Sequence, residues 1–305
     1  MPRCLVSFGA NIGDPAETIR AALVSLKSRL SVDGDCQVEL SRFFKTPPVG
    51  GPSGQPPFVN AVAAIESQHS VWEHWAAVRA VESEFGRERN LRWEARKLDL
   101  DILLYDNMRI WTPQFKVPHP RMCMRRFILE PACDVAADWL DPVSGMTIRS
   151  LTSRLRGQPG CIHLYHHRSV PGVRIATSVA EVSGAKVTSA SGAEAGPLRG
   201  AARELRLQQA DSDEVSGLLA TDANITNGLV VYLPQPVGEK LGAWEDIHRD
   251  AAVALQMQAA DEQVLDRWLG PRYLLASDDE SWAIHEINAA FEAMDCPIEP
   301  IAVDA

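Results

Sequence analysis

The chain has 305 residues, 46% of them hydrophobic and 23% charged, which excludes a disordered or fibrous protein and leaves room for two ordinary domains. No apolar run approaches the roughly 20 residues of a membrane span, and the strand-like start at residues 4–8 lacks the regions of a signal peptide, so no membrane partner is expected. Net charge is −10 but divided: residues 1–167 hold 20 basic against 18 acidic side chains (+2), residues 168–305 hold 10 against 22 (−12), and so acidic a second half argues against a nucleic-acid partner. The six cysteines, Cys4, Cys36, Cys123, Cys133, Cys161 and Cys296, form no close pair; buried thiols in a reducing, cytoplasmic setting are expected.

In chain order, residues 4–8 read as a short apolar strand. Asp14 can cap a helix with Pro15 at its first position and Ile19, Ala22, Leu23, Leu26 and Leu30 on one face. Residues 37–44 read as a strand, 46–54 as a Pro/Gly-rich loop, and 58–65 as another strand. Ser70 can cap a helix carrying Val71, Trp75, Val78, Val81 and Phe85; a strand is expected at 98–105 and a helix near 147–155. Strand–helix–strand twice over predicts an α+β sandwich of ferredoxin-like type.

The character changes around residues 166–172, and two units are expected, 1–167 and 168–305. The second opens with residues 173–179 and a Gly/Ala/Ser-rich stretch at 184–200. Further strand candidates are 218–221, 229–233, 273–276 and 298–303, with helical patterns at 244–260 and 280–294. This predicts a smaller α/β domain with a parallel sheet.

The stretch with most chemistry in it runs from Arg92 to Tyr105. Period-two geometry puts Asp99 and Asp101 on one face of a strand, with Leu98, Leu100 and Ile102 on the other. Two carboxylates roughly 7 Å apart repel unless a cation lies between them, and Mg²⁺ takes one or two carboxylates and fills its shell with water and phosphate oxygens. A solvated strand face with two harmless charges fits the same spacing. Arg87, Arg89, Arg92 and Arg96 lie beside the strand, with Arg121, Arg125 and Arg126 beyond it; guanidinium forks suit phosphate, although a solvated helix end is also Arg-rich. His119 is fixed between Pro118 and Pro120, a rigid setting that suits either a structural role or a phosphate contact.

Arg96-Lys97-Leu98-Asp99-Leu100-Asp101-Ile102-Leu103-Leu104 resembles the signature of the 6-hydroxymethyl-7,8-dihydropterin pyrophosphokinases. Further pieces follow in that family's order: Phe8-Gly9-Ala10-Asn11-Ile12-Gly13-Asp14, Thr46-Pro47-Pro48-Val49-Gly50, Phe58-Val59-Asn60-Ala61, Glu82 with Arg87 and Arg89, Val117-Pro118-His119-Pro120-Arg121, and Arg125-Arg126-Phe127. The resemblance covers roughly residues 3–155. It implies a 2-amino-4-hydroxy-6-hydroxymethyldihydropteridine diphosphokinase, which moves a diphosphate from ATP to the pterin alcohol and releases AMP in folate biosynthesis. It also implies roles: Asp99 and Asp101 would hold two Mg²⁺ ions, and Arg87 and Arg96 would meet the phosphates. Asn60 would bind the pterin, stacked between Phe58 and Phe127 in a pocket lined by Thr46, Pro47 and Val49. Glu82, Arg89, Trp93, His119 and Arg125 would serve ATP.

Departures from the family pattern are Glu94-Ala95 in place of Gly-Pro, Met122-Cys123-Met124 where polar residues are commoner, and Ala10 for Ser. Two rival readings stay open, a decayed pterin- or nucleotide-binding protein and a metal-dependent nucleotidyltransferase. The second half is faintly similar to a nucleoside or thymidylate kinase that has lost its phosphate loop: Gly184-Ala185-Lys186-Val187-Thr188 lacks the upstream glycine and has no Ser or Thr after the lysine. Such a degenerate P-loop-like unit would serve packing, regulation or homo-oligomer formation.

Overall fold

The computed structural model describes residues 1–31, 35–50, 54–86, 97–112, 114–157, 160–189, 203–209, 228–233, 270–275 and 279–302. The expected strand at 218–221 and helix at 244–260 lie outside them.

The first half is built on an antiparallel sheet. Its strands are β1 (Arg3–Ala10), β2 (Gln37–Leu40), β3 (Phe43–Thr46), β4 (Phe58–Glu66) and β5 (Asp99–Tyr105), with β4 and β5 flanking β1. The single strand expected at 37–44 is two strands along one edge of β4, because the pairing shifts by one residue between Leu40 and Phe44. Ser41 occupies this bulge: its hydroxyl accepts from Val62 N at 2.9 Å and donates to the Arg42 carbonyl at 2.7 Å.

Helix α1 (Pro15–Leu30) starts as expected, with Asp14 accepting from Glu17 N and Pro15 in the first turn; Ile19, Ala22, Leu26 and Leu30 are buried. Helix α2 (Val71–Glu84) starts on a full capping box between Ser70 and Glu73. Ser70→Ala is expected to cost about 1 kcal/mol of stability, measured by urea unfolding. Hydrogen bonds from Ser70 hold the Glu73 carboxyl down at about 2. A depressed carboxylate stabilises the fold fully above its unfolded value, so this contribution is present at neutral pH and fades as pH falls from about 4.5 toward 2.

Side chains of β1, β4 and β5 alternate between two cores. Val6, Phe8, Ile65, Leu100 and Ile102 pack under α1 and α2. Leu5, Val62, Ala64 and Leu103 pack under α3 (Arg126–Ala136), in a core that runs on into the second half. Helix α3 has Pro131 in its middle, which masks it from sequence reading. Two short ribbons, β6 (Ile110–Trp111) with β7 (Lys116–Val117) and β8 (Leu140–Asp141) with β9 (Met146–Thr147), and helix α4 (Ile148–Gly157) complete this half.

The second sheet is parallel, as expected. Its order is β11 (Lys186–Ser189), β12 (Glu204–Gln209), β10 (Cys161–His166), β13 (Leu229–Leu233) and β14 (Arg272–Leu274). The central strand lies just before the change in composition. Residues 173–179 fall within helix α5 (Gly172–Ser183), and residues 280–294 form helix α6 (Glu280–Met294), capped by Asp279. The last strand, β15 (Glu299–Ile301), pairs with β3, so the chain returns to the first sheet. No helix among the described residues is long and apolar enough to cross a membrane.

Candidate active site

The β1–β4–β5 register sets the site. Gly9 lies opposite Asn60 on one side and Asp99 on the other, and Ser7 lies opposite Asp101. Asn60, Gly9 and Asp99 therefore form one row across three strands, on the face that α3 covers. A Cβ at Gly9 would sit 3.3 Å from Asn60 Oδ1, so the missing side chain keeps the row open between amide and carboxylate. A register shift in the β1–β5 pairing near Leu103 ends the alternation beyond the two aspartates. Behind them, the buried Glu82 of α2 accepts the Leu100 N–H at 3.1 Å, which satisfies a donor on the outer edge of β5 and fixes the strand.

Both aspartates are half-buried. The Asp101 carboxylate lies 3.6 Å from His119 Nε2 and 3.9 Å from a terminal nitrogen of Arg125. The His119 backbone N–H bonds to the Leu103 carbonyl at 2.9 Å, which ties the 118–125 turn to β5; the Val117–Pro118 peptide is cis. Arg121 N donates to His119 Nδ1 at 3.2 Å, so the imidazole proton belongs on Nε2, facing Asp101. Burial, then Arg125 and Arg121, hold His119 well below its ordinary basicity, so it is neutral and acts as a donor rather than a charge. Burial and then Arg121 likewise push Lys116 down to about 7. Burial lowers Arg125 too, with Arg121 adding to it against Asp101 and Asp99, yet a guanidinium keeps its charge.

On the other side of Gly9, Asn60 Nδ2 donates to Thr46 Oγ1 at 2.8 Å, and both residues are buried. Phe58 shares the face of Asn60, and Phe127 sits on the first turn of α3 with the Arg125 guanidinium 5.6 Å from its ring centre. Asn11 holds the far end of the 46–56 loop through the Pro56 carbonyl at 3.2 Å. Pro47 and Val49 line one wall of a cleft of about 710 Å³ whose other wall includes Asn288 and Glu292 of α6. Asn60, Phe58 and the aspartates do not line it.

The structure thus brings together Thr46, Phe58, Asn60, Asp99, Asp101, His119 and Arg125. Arg87, Arg89, Trp93 and Arg96 lie outside the described residues, as do Arg92 and Glu94-Ala95. Sequence reading gave no role to Gly9, whose part depends on a three-strand register, or to residues of α6. Among the described residues no three His, Cys, Asp or Glu gather as a metal cluster. The donor set is two half-exposed carboxylates next to neutral and cationic donors. That suits a hard cation that keeps most of its shell as water or phosphate, and does not suit zinc.

The sequence pattern described as "7,8-dihydro-6-hydroxymethylpterin-pyrophosphokinase (HPPK)" matches residues 5–137. The 2-amino-4-hydroxy-6-hydroxymethyldihydropteridine pyrophosphokinase of Pseudomonas aeruginosa is 40% identical over 140 residues, covering 45% of this chain and 82% of the relative. The protein of that name from Haemophilus influenzae is 40% identical over 139 residues, covering 46% and 84%. A Plasmodium falciparum HPPK-DHPS structure with pteroate aligns at 12% identity with a TM-score of 0.39, over 76% of this chain and 64% of that one, a likeness too slight to build on.

Proposed function

The chain belongs to the 7,8-dihydro-6-hydroxymethylpterin-pyrophosphokinase family, and we propose that the row Asn60–Gly9–Asp99 is where its reaction takes place. It transfers a diphosphate from ATP to 6-hydroxymethyl-7,8-dihydropterin, yielding AMP and the pterin diphosphate for folate biosynthesis. The observation that carries the site assignment is the register. It sets a buried side-chain amide and a carboxylate two strands apart, roughly 10 Å, with a glycine between them, which suits a bicyclic ring and its one-carbon arm.

Asn60 hydrogen-bonds the ring, Phe58 and Phe127 stack on it, and Thr46, Pro47 and Val49 close the pocket. The hydroxymethyl oxygen attacks the β-phosphorus and gives up its proton to water, and the bond from that phosphorus to the oxygen it shares with the α-phosphorus breaks, so that oxygen leaves with AMP. Asp99 and Asp101 are the residues that would hold two Mg²⁺ ions, which neutralise the phosphates when bound. The neutral His119 Nε2–H and the buried Arg125 donate to phosphate oxygens without adding a second mobile proton. Arg87 and Arg96 meet the phosphates as well, and Glu82, Arg89 and Trp93 belong to the nucleotide side. Catalysis on this reading is positioning and charge neutralisation.

We read the first half as a ferredoxin-like sandwich and the second, whose parallel sheet takes in β10, as an accessory α/β unit open to homo-oligomer formation, a degenerate P-loop-kinase type being the alternative. The thiols of Cys4, Cys36, Cys123 and Cys296 are buried, which fits a cytoplasmic setting.

Incubation with ATP, Mg²⁺ and the hydroxymethyl pterin should give AMP and pterin diphosphate in equal amounts by anion-exchange chromatography. Free pyrophosphate with a nucleotide adduct would mean nucleotidyl transfer, and pterin binding without turnover a decayed enzyme. Gly9→Val tests the row: a branched side chain between Asn60 and Asp99 should weaken pterin binding by at least about tenfold in a fluorescence titration, while far-UV circular dichroism stays native.

A further inference from the structure

Two carboxylates of α6 in the acidic second half reach this site. Glu286 is buried, its side chain only 1% exposed, and a carboxylate so placed must be paired. Its partner is Arg121, at 2.8 Å. Tyr273 of β14 joins them: its hydroxyl donates to Glu286 Oε2 at 2.7 Å and accepts from Arg121 Nε at 3.3 Å. Arg121 in turn donates its backbone N–H to His119 Nδ1, and so fixes the tautomer that faces Asp101. The other carboxylate oxygen, Glu286 Oε1, is buried and has no hydrogen-bond partner among the described residues. Cys123 Sγ, on the same turn, lies 3.8 Å from the Arg272 carbonyl.

Six residues further on, about 9 Å along the helix, Glu292 Oε2 accepts the backbone N–H of Gly50 at 2.9 Å. Gly50 has φ +69°, a conformation that favours glycine, and it belongs to the loop that carries Thr46, Pro47 and Val49. One rigid helix therefore holds the phosphate-side turn with one carboxylate and the pterin-side loop with another.

We propose that α6 is a positioning element of the active site: Glu286, with Tyr273, aligns the His119–Arg125 turn against Asp101, and Glu292 sets the pterin loop. The proposal rests on the site reading above, and it makes the second half a working part of the enzyme rather than an attachment. Glue between two units would change only the melting temperature, whereas positioning separates the kinetic constants.

In the full-length protein, Glu286→Gln should lower kcat about tenfold with the pterin KM within twofold. Glu292→Ala should raise the pterin KM about threefold to fivefold with kcat nearly unchanged. Tyr273→Phe keeps the Arg121–Glu286 pair and is the milder variant, which carries the test should Glu286→Gln fail to fold; it should lower kcat about threefold. Binding of a non-hydrolysable ATP analogue reads the same turn without turnover and should weaken in both phosphate-side variants. Wild-type AMP formation is the control for the site reading, and its absence would count against that reading alone. Wild-type kinetics and analogue affinity in folded Glu286→Gln and Tyr273→Phe would overturn the inference, as would a raised kcat, which would mean that α6 restrains the site.

Discussion

Asp99→Ala and Asp101→Ala are each expected to lower kcat by about 10²–10³-fold while the melting temperature holds or rises slightly. The two carboxylates lie two residues apart on one strand face, and Asp101 is 35% exposed, so neither fills a core position. What they supply is negative charge, and that of Asp101 faces Arg125 and the His119 donor at 3.9 and 3.6 Å. Removing one relieves repulsion in the resting protein and, on the proposed reading, would take away one of the two carboxylates that hold the cation. Activity and stability should therefore move apart. A loss of activity that merely followed a fall in melting temperature would assign the aspartates to the fold instead. Asp101→Asn tests charge against shape, and it should be nearly as inactive as the alanine variant.

Asn60→Ala should raise the pterin KM by roughly 10- to 100-fold, with a smaller effect on kcat. The amide is buried and already held by Thr46 Oγ1 at 2.8 Å, so its remaining donor and acceptor are oriented before any ligand arrives. Losing it removes ring recognition and also leaves the Thr46 hydroxyl without its donor. Thr46→Val separates the two effects: it removes the anchor, keeps the amide, and should raise KM by less. An unchanged KM in Asn60→Ala, measured at saturating ATP, would move the ring away from this row.

Where local chemistry decides, the sequence was a good guide. Asp14 with Pro15, and Ser70 with Glu73, are caps that announce α1 and α2, and both helices begin there. The period-two pattern put Asp99 and Asp101 on one face, and Leu100 and Ile102 are buried on the other. Residues 37–44 misled because a one-residue bulge at Ser41 breaks a period that propensity alone would continue. α3 was hidden by Pro131, and β10 by a short run with two histidines, His163 and His166, that only a buried central strand makes sense of. The residues that the resemblance names for the candidate site occur in ordered motifs, and of these Asn60 meets Thr46 while Asp101 lies beside His119 and Arg125. The parts that depend on distant chain were not legible. Gly9 matters only because β4 and β5 flank it, and Glu286 and Glu292 reach the site from more than 160 residues downstream of Arg121 and Gly50 through contacts that no local pattern encodes. The charge division between the halves was visible, but its use is local: two acidic side chains on α6 meet a guanidinium and a backbone N–H of the first half.

The most direct measurement uses ATP labelled at the β-phosphorus in a single turnover with Mg²⁺ and the hydroxymethyl pterin. The label should move in full to the pterin product, leaving unlabelled AMP, and Asp101→Ala should leave it on ATP. Label recovered in ADP would show transfer of a single phosphoryl group, and label in free pyrophosphate would show attack at the α-phosphorus; either result would contradict diphosphate transfer at this site.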